Sequence, residues 1–369
     1  MKLNYTNKNK NNIIMRKLSL VLFAMLLFAF NNICFSQEKN FTIDKLSIEG
    51  RADFDYFNDN AGSTSGIDGK YFNFEMKGSF LQDFSYRVRQ RIDMTAGSAK
   101  TDFMILSYHA NKNWSLTAGR MPLAVGGWEY DLPPIDVYYA SLFWNDFSCY
   151  DIGAQVEFHS NDKNHDIIFQ ITNSTFNRYD EDGMFIRLPN RYTYNLIWYG
   201  RMGCFTTSYS INMMEQNKGE YINYIALGNM FDLGKLDFYV DFMNRGFFNQ
   251  KNFLLGDFTI IGEVKYAFTD KFTAIVKGGY DRNKHDNRIF SEAGEIINYK
   301  PFDMVVAPGI EYAFAGIGFD AFPYKGNKNV RLHGLFALNS MANTLVPESS
   351  AKLTYQAQVG VTWRINFVK

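Results

Sequence analysis

The sequence predicts an all-β protein, a transmembrane antiparallel β-barrel of about sixteen strands with short turns at one end and long loops at the other. Three observations carry that reading. Polar and apolar residues alternate with period two in segments of about ten residues. The connections between those segments alternate short and long. After an N-terminal apolar run, no second stretch is long and apolar enough to span a bilayer as a helix. The composition agrees: aromatic residues make up 17% of the chain, with 35 Phe and 23 Tyr, yet the mean hydropathy is −0.25. Apolar and polar residues are finely interleaved, as a wall between lipid and water requires.

Taken in order, residues 1–36 read as an export signal. Arg16 and Lys17 precede the apolar run Leu18–Phe30, and Ser36 is small enough to stand before a cut after Ser36 or Gln37. The run is short for a membrane span, and Met15 reads as the initiator. Removal of residues 1–36 takes away five of the 38 basic residues and none of the 38 acidic ones, leaving a formal −5. No basic face suited to nucleic acid survives. Cys34 falls in the signal, and Ile33 before it is too large for a lipoprotein cut.

Residues 40–369 then read as the barrel. In the first strand Leu46, Ile48, Gly50, Ala52, Phe54 and Tyr56 alternate with Ser47, Glu49, Arg51, Asp53 and Asp55. In the second, Phe72, Phe74, Met76 and Phe80 oppose Asn73, Glu75, Lys77 and Ser79. The third is YRVRQRIDM, which puts Arg87, Arg89 and Arg91 on one face and Tyr86, Val88 and Ile92 on the other. Gln90 is its misfit, a polar residue in the lipid-facing row. On the fourth, Ser107 and His109 take the polar face. The last strand carries an unbroken apolar row from Leu353 to Phe367, followed by Val368 and Lys369.

The short connections are read at 81–83, 111–113, 160–165, 200–203, 232–235, 269–271 and 325–329, the long ones at 58–69, 97–101, 121–148, 174–191, 213–220, 246–256, 283–300 and 339–351. Counting runs naively gives an odd number, because AGIG at 315–318 looks like a turn. An even count requires 302–324 to be one strand, with the phase slip at Gly316 read as a bulge. A soluble β-sandwich would explain one apolar row per strand. It would not explain the export signal, the alternating connections and the two-faced terminal strand together.

The stretch WSLTAGRMPLAVGGWE, residues 114–129, adds a resemblance. Gly119, Arg120, Pro122, Gly126, Gly127 and Glu129 resemble the strand-then-loop motif of the outer-membrane porin superfamily that includes the phosphate-selective porins O and P. YDIGAQVEF at 150–158 and the segment from GIEYAF to FPYKGNKNVRLHGLF look similar too. The resemblance implies a sixteen-stranded, water-filled outer-membrane channel of a Gram-negative bacterium. It also implies a homotrimer in lipid, passing small hydrophilic solutes or inorganic ions, phosphate among them, and a third extracellular loop folded inward as a constriction. That loop would be 121–148.

In that setting Arg87, Arg89 and Arg91 become candidate pore-lining residues, a basic track for anions. The alternative is that they pair with Glu75, Asp53 or Asp93 and stiffen the wall. Between Met121 and Phe158 there is no Lys or Arg, whereas Glu129, Asp131, Asp136 and Asp146 lie in the loop. Set opposite the arginines, these acids would make a transverse field. The rest of the polar faces carry both signs, including Arg51, Lys277, Arg331 and Arg364 against Glu49, Asp53, Asp241 and Glu263.

No catalytic residue, cofactor or metal site is expected. Of the five histidines, His159, His165 and His285 fall in a turn or loop, His109 and His333 have no Ser or Asp constellation at a fixed offset, and neither Cys149 nor Cys204 has metal-ligand spacing. The two cysteines fall at opposite rims, beyond disulfide reach. Two other readings stay open from the residues: a plugged barrel serving as adhesin or scaffold, and a barrel hydrolase whose groups come from separated strands.

Overall fold

A computed structural model describes residues 41–369, apart from 60, 96, 148, 177, 180–184, 187–189, 247–253, 287, 300–304, 347–350 and 369. The expected signal segment lies outside the described residues. Sixteen strands close into a single antiparallel barrel. The first eight are β1 (Lys45–Asp59), β2 (Gly62–Phe80), β3 (Phe84–Asp93), β4 (Ser98–His109), β5 (Trp114–Pro122), β6 (Tyr150–His159), β7 (His165–Asn173) and β8 (Tyr192–Met202). The second eight are β9 (Phe205–Asn217), β10 (Glu220–Asp232), β11 (Leu236–Gly246), β12 (Asp257–Thr269), β13 (Phe272–Asn283), β14 (Ile310–Ala321), β15 (Val330–Asn343) and β16 (Lys352–Val368). Each pairs with its sequence neighbours. β16 returns to β1, with Arg364 opposite Glu49 and Val359 opposite Phe54. Closure leaves no edge with unpaired N–H and C=O groups, which a hydrocarbon surround would not tolerate. Two short hairpins, 178–179 with 185–186 and 288–290 with 296–299, sit in the long connections after β7 and β13.

The period-two pattern dictates the wall. Phe54, Met104 and Ile317 are 50%, 65% and 63% exposed on the outside, while Asp53 and Asn73 on the inner face are 1% exposed. An outer surface this apolar over the whole circumference is a poor surface in water, at about 25 cal/mol per Å², and a good one in lipid. At the short-turn end the band finishes in paired aromatic rings. Phe80 packs on Phe84 at 5.4 Å and Phe84 on Tyr108 at 5.1 Å. Trp114 meets Phe158 at 5.0 Å, and Phe231 bridges Phe205 and Phe238 at 4.8 Å each. Such girdles favour the membrane interface, where a flat ring can touch both lipid and water.

Three local expectations are corrected. Gly316 is not a bulge: β14 pairs in unbroken register on both sides, with Gly316 opposite Lys277 and Ala337. The apparent phase slip arose because Tyr312 and Phe314 face inward, where they are buried, rather than outward as aromatic residues were expected to. The strand starts at Ile310, later than expected, and residues 302–304 lie outside the described set. The connections assigned to 58–69 and 213–220 are mostly strand. The β1–β2 and β9–β10 hairpins run on past them, to Asp59 and Gly62 and to Asn217 and Glu220. The period-two pattern ended earlier in the sequence than backbone pairing does, because 58–66 carries no large apolar residue and the adjacent Met213 and Met214 break the alternation.

Candidate functional site

The connection between β5 and β6, residues 123–149, runs through the lumen. Its folding is local chemistry. Gly127 holds φ at +110°, a conformation that side chains other than glycine rarely adopt. It turns the chain into a short helix α1 (Trp128–Asp131). The free N–H groups of Trp128 and Glu129 both donate to the Asp241 carboxylate of β11, at 2.9 Å each. Pro133 and Pro134 stiffen the next segment, and Pro134–Asp136 forms a 3₁₀ turn. A second short helix, α2 (Leu142–Asp146), is capped by the Ser141 hydroxyl, which accepts from the Trp144 N–H at 3.2 Å.

The loop is fastened to the wall by polar contacts around much of the circumference. The Lys277 ammonium of β13 donates to Glu129 at 2.5 Å and to the Tyr139 carbonyl at 2.6 Å. Arg331 of β15 and Arg364 of β16 both bond Asp136 at 2.7 Å. Arg51 of β1 donates to the Val137 carbonyl at 2.6 Å. Gly126 donates to the Ser210 hydroxyl of β9 at 2.7 Å. The apolar side of the loop buries Leu123, Val125, Tyr130, Phe143 and Phe147 against Met214, Ile222, Tyr224 and Met243 on the inside of β9–β11. Burial alone would raise the Asp136 carboxyl, but the charges of Arg331 and Arg364 outweigh it and hold Asp136 below the ordinary carboxylate range.

The loop is therefore seated mainly against β9–β13 and tied at its far side to β15, β16 and β1, and open space remains beside β1–β6 and beside β15 and β16. There, two chambers lie next to one another. One, of about 570 Å³, is lined by five cations, Arg87, Arg89, Arg91, Lys100 and Arg120, and by two carboxylates, Asp102 and Asp131. The other, of about 700 Å³, lies between the loop and strands β1, β2, β15 and β16. Trp144, Asn145 and Tyr71 line both.

The arginine run does project into the lumen, and each member has a partner. Arg87 pairs with Glu75 at 2.7 Å and covers the Phe103 ring, with its guanidinium 3.7 Å from the ring centroid. Arg91 pairs with Asp102 at 3.1 Å, and Arg89 lies 3.6 Å from the same carboxylate. Asp102 was missed by sequence reasoning because it is out of phase. Arg89 pairs with Phe103 and Gln90 with Thr101, so Asp102 is the extra residue of a bulge and turns inward beside Phe103. The same bulge explains Gln90, whose outward amide oxygen accepts from the Thr101 hydroxyl at 2.9 Å. A polar pair, Thr101 opposite Gln90, interrupting two apolar rows was the available signal.

The acidic loop residues do not line up against the arginines as expected. Glu129 and Asp136 are consumed by Lys277, Arg331 and Arg364 on other strands, because those carboxylates are what fastens the loop. Of the four, Asp131 lines the basic chamber, with the Tyr199 hydroxyl 3.4 Å away. Asp146 is exposed at the end of α2. In the motif, Gly119 holds φ at +129°, where a Cβ would lie 2.1 Å from the Met104 carbonyl oxygen. Arg120 donates to the Thr101 carbonyl at 2.6 Å, and Pro122 closes β5. A Cβ on Gly126 would lie 2.4 Å from the Ser208 carbonyl oxygen, so glycine there lets the loop lie flat on β9.

Nothing in the lumen assembles a hydrolytic triad among the described residues. The Ser85 hydroxyl lies 2.9 Å from His109 Nε2, with no carboxylate on the other ring nitrogen. Nor is there a cluster of three or more His, Cys, Asp or Glu placed to hold a metal. Cys149 and Cys204 are both free.

The comparisons with known proteins agree with this geometry. The family model for phosphate-selective porin O and P matches residues 45–280. No curated protein sequence matches the chain. Among solved structures, the anion-selective porin from Comamonas acidovorans has a TM-score of 0.62 at 10% identity, covering 88% of this chain and all of that one. The outer-membrane channel DcaP of Acinetobacter baumannii has a TM-score of 0.62 at 10% identity, covering 90% and 99%. The trimer form of OmpT, an outer-membrane protein of Vibrio cholerae, has 0.53 at 10% identity, covering 88% and 100%. At these identities the structures speak for the fold, a closed sixteen-stranded porin barrel, and the motif and family match speak for kinship: the chain belongs to the phosphate-selective porin O and P family.

Proposed function

We propose that this outer-membrane channel passes small hydrophilic solutes passively through the gap between the inward loop and strands β1–β6, with a preference for anions, phosphate among them. The observation that carries the preference is the charge of the smaller chamber, five cations against two carboxylates. An anion entering it replaces part of its lost hydration with guanidinium contacts, and a cation does not. The acidic loop does not cancel this, because Glu129 and Asp136 are already spent on fastening. The Comamonas acidovorans porin, which shares the fold, is anion-selective, and the same bias here is consistent with that.

The finer topology follows the same reading. The short turns face the periplasm, the long connections face outward, and residues 1–36 are removed near Ser36 or Gln37. Three copies assemble in lipid, as in the trimer form of OmpT. Catalysis plays no part.

Planar-bilayer recording tests this. Purified protein should give ohmic steps, and a salt gradient should give a reversal potential on the anion side. Changing Arg87, Arg89 and Arg91 together to Ala should move it toward cations. Absence of ohmic steps would sink the channel and leave the adhesin or scaffold reading. An unmoved reversal potential would make the three arginines structural.

A further inference from the structure

The throat between the two chambers is not built as a filter for a bare inorganic anion alone. Its shared lining is Trp144, Asn145 and Tyr71. Trp144 stands on α2 of the loop, half-buried, and its ring stacks on no other ring among the described residues. Tyr71 stands on β2, with the Arg91 guanidinium 5.6 Å from its ring centroid. A flat apolar surface beside a row of arginines does nothing for a small hydrated anion. It strips water from one side of the ion and returns no hydrogen bond. It does suit a solute that carries its charge on a ring, since C–H faces pack on aromatic rings while the charged group reaches the cations.

The wider chamber supplies the remaining chemistry. Asn145, Thr354, Gln356 and Gln358 bring amide and hydroxyl groups to its surface. Two of its cations are compensated, Lys70 by Asp55 at 2.6 Å and Arg51 by Asp53 at 2.8 Å, and the third, Lys352, is exposed at the start of β16. Amide and hydroxyl groups among charges of both signs on one side, two aromatic residues in the middle and five cations on the other form a graded path. The grading matches a molecule with hydroxyls, a ring face and one anionic group. Each chamber also falls within the range of roughly 300–1,000 Å³ typical of small-molecule sites.

We infer that the throat is a binding step for anionic monosaccharides, in which Trp144 and Tyr71 take the ring while the Arg87–Arg91 row takes the phosphate or carboxylate. This rests on the channel reading above and adds a solute class to it. It makes Trp144 and Tyr71 selectivity residues, and it predicts that ring and charge together bind better than either alone.

Current interruption in planar bilayers is the test, with four probes: inorganic phosphate, glucose, glucose 6-phosphate and glucuronate. The two anionic sugars should interrupt the current at concentrations at least about fivefold below phosphate and below glucose. Glucose 6-phosphate and glucuronate separate a phosphate from a carboxylate as the preferred charge. Trp144→Ala should remove the advantage of the sugars while leaving the phosphate effect in place, with ohmic steps retained but of a different size. Trp144→Phe should keep most of it. Retained ohmic steps show that either variant is folded. If the wild-type channel conducts but treats glucose 6-phosphate like phosphate, or if Trp144→Ala keeps the preference, the sugar step is overturned and the anion channel stands. If the wild-type gives no ohmic steps, both fall together.

Discussion

Replacing Lys277 by Met should loosen the inward loop, and the size of the effect can be worked from the contacts. The Lys277 ammonium and the Glu129 carboxylate are 2.5 Å apart, and their side chains are 4% and 0% exposed. At an effective dielectric of about 20, unit charges at that separation attract by about 7 kcal/mol before desolvation of either is counted. Desolvation offsets much of this, so the pair itself adds little net stability. Removing one partner is different. Glu129 would stay buried with only the Ser141 N–H, at 3.1 Å, and the Ser141 hydroxyl as donors, and the Tyr139 carbonyl would lose its ammonium. Breaking a buried pair in this way costs about 3–5 kcal/mol.

The expected outcome of Lys277→Met is a loss of about 3–5 kcal/mol in urea unfolding from detergent, together with flickering current as the loop leaves its seat. The double variant Lys277→Met with Glu129→Met should recover at least half of the loss, since two apolar side chains replace two charges. A single variant as stable as the wild type, with quiet current, would refute the assignment of Lys277 as the fastening. So would a double variant that is the plain sum of the two singles.

Other outcomes follow from the same geometry. Asp102→Asn removes the carboxylate shared by Arg89 and Arg91, so the reversal potential should move further toward anions while stability falls by about 3–5 kcal/mol; movement toward cations would contradict the placement of Asp102. Gly119→Ala puts a side chain at φ +129° against the Met104 carbonyl and should cost at least about 1–3 kcal/mol, read as a lower yield of heat-modifiable folded barrel. Asp136, held below the ordinary carboxylate range by its arginines, stabilises the docked loop above the unfolded value of 3.8 and loses that effect only as pH falls through its lowered folded value. The Asp136 fastening should therefore hold from pH 8 to about pH 5, and a conductance change inside that window should trace to Asp131, whose carboxyl burial raises to about 7; if it survives Asp131→Asn, the loop is controlled by another group. Burial, the main cause, raises the Cys149 thiol to about 11, whereas Cys204 is exposed. Maleimide should thus label Cys204 rapidly at neutral pH and Cys149 slowly, with the Cys149 rate rising steeply above pH 9.

How much of this was legible in the sequence depended on which solvent a residue meets. Where one face meets lipid and the other meets water, period two is enforced at every position, so β1, β2, β3 and β16 could be phased from the residues alone. The motif from Gly119 to Glu129 marked where the chain leaves the wall, because a backbone at φ +129° or pressed against β9 admits glycine and little else. Arg87, Arg89 and Arg91 could be put on the lumen side for the same reason of phase.

The contents of the lumen were settled only in three dimensions. An inward position can meet water or the packed loop, and the sequence of its own strand does not say which. Tyr312 and Phe314 look lipid-facing until the loop residue Tyr139 is seen against them, and that misled the reading at Gly316. Asp102 is inward only because a bulge, defined by the pairing of β3 with β4, turns it there. The acids of the loop looked like the far side of a charged constriction. Which cation each one meets depends on strands 100 or more residues away, since Glu129 reaches Lys277 and Asp136 reaches Arg331 and Arg364. Alternation is a local consequence of strand geometry and could be read from the chain; charge pairing across a closed barrel is a long-range one, and only the folded structure decides it.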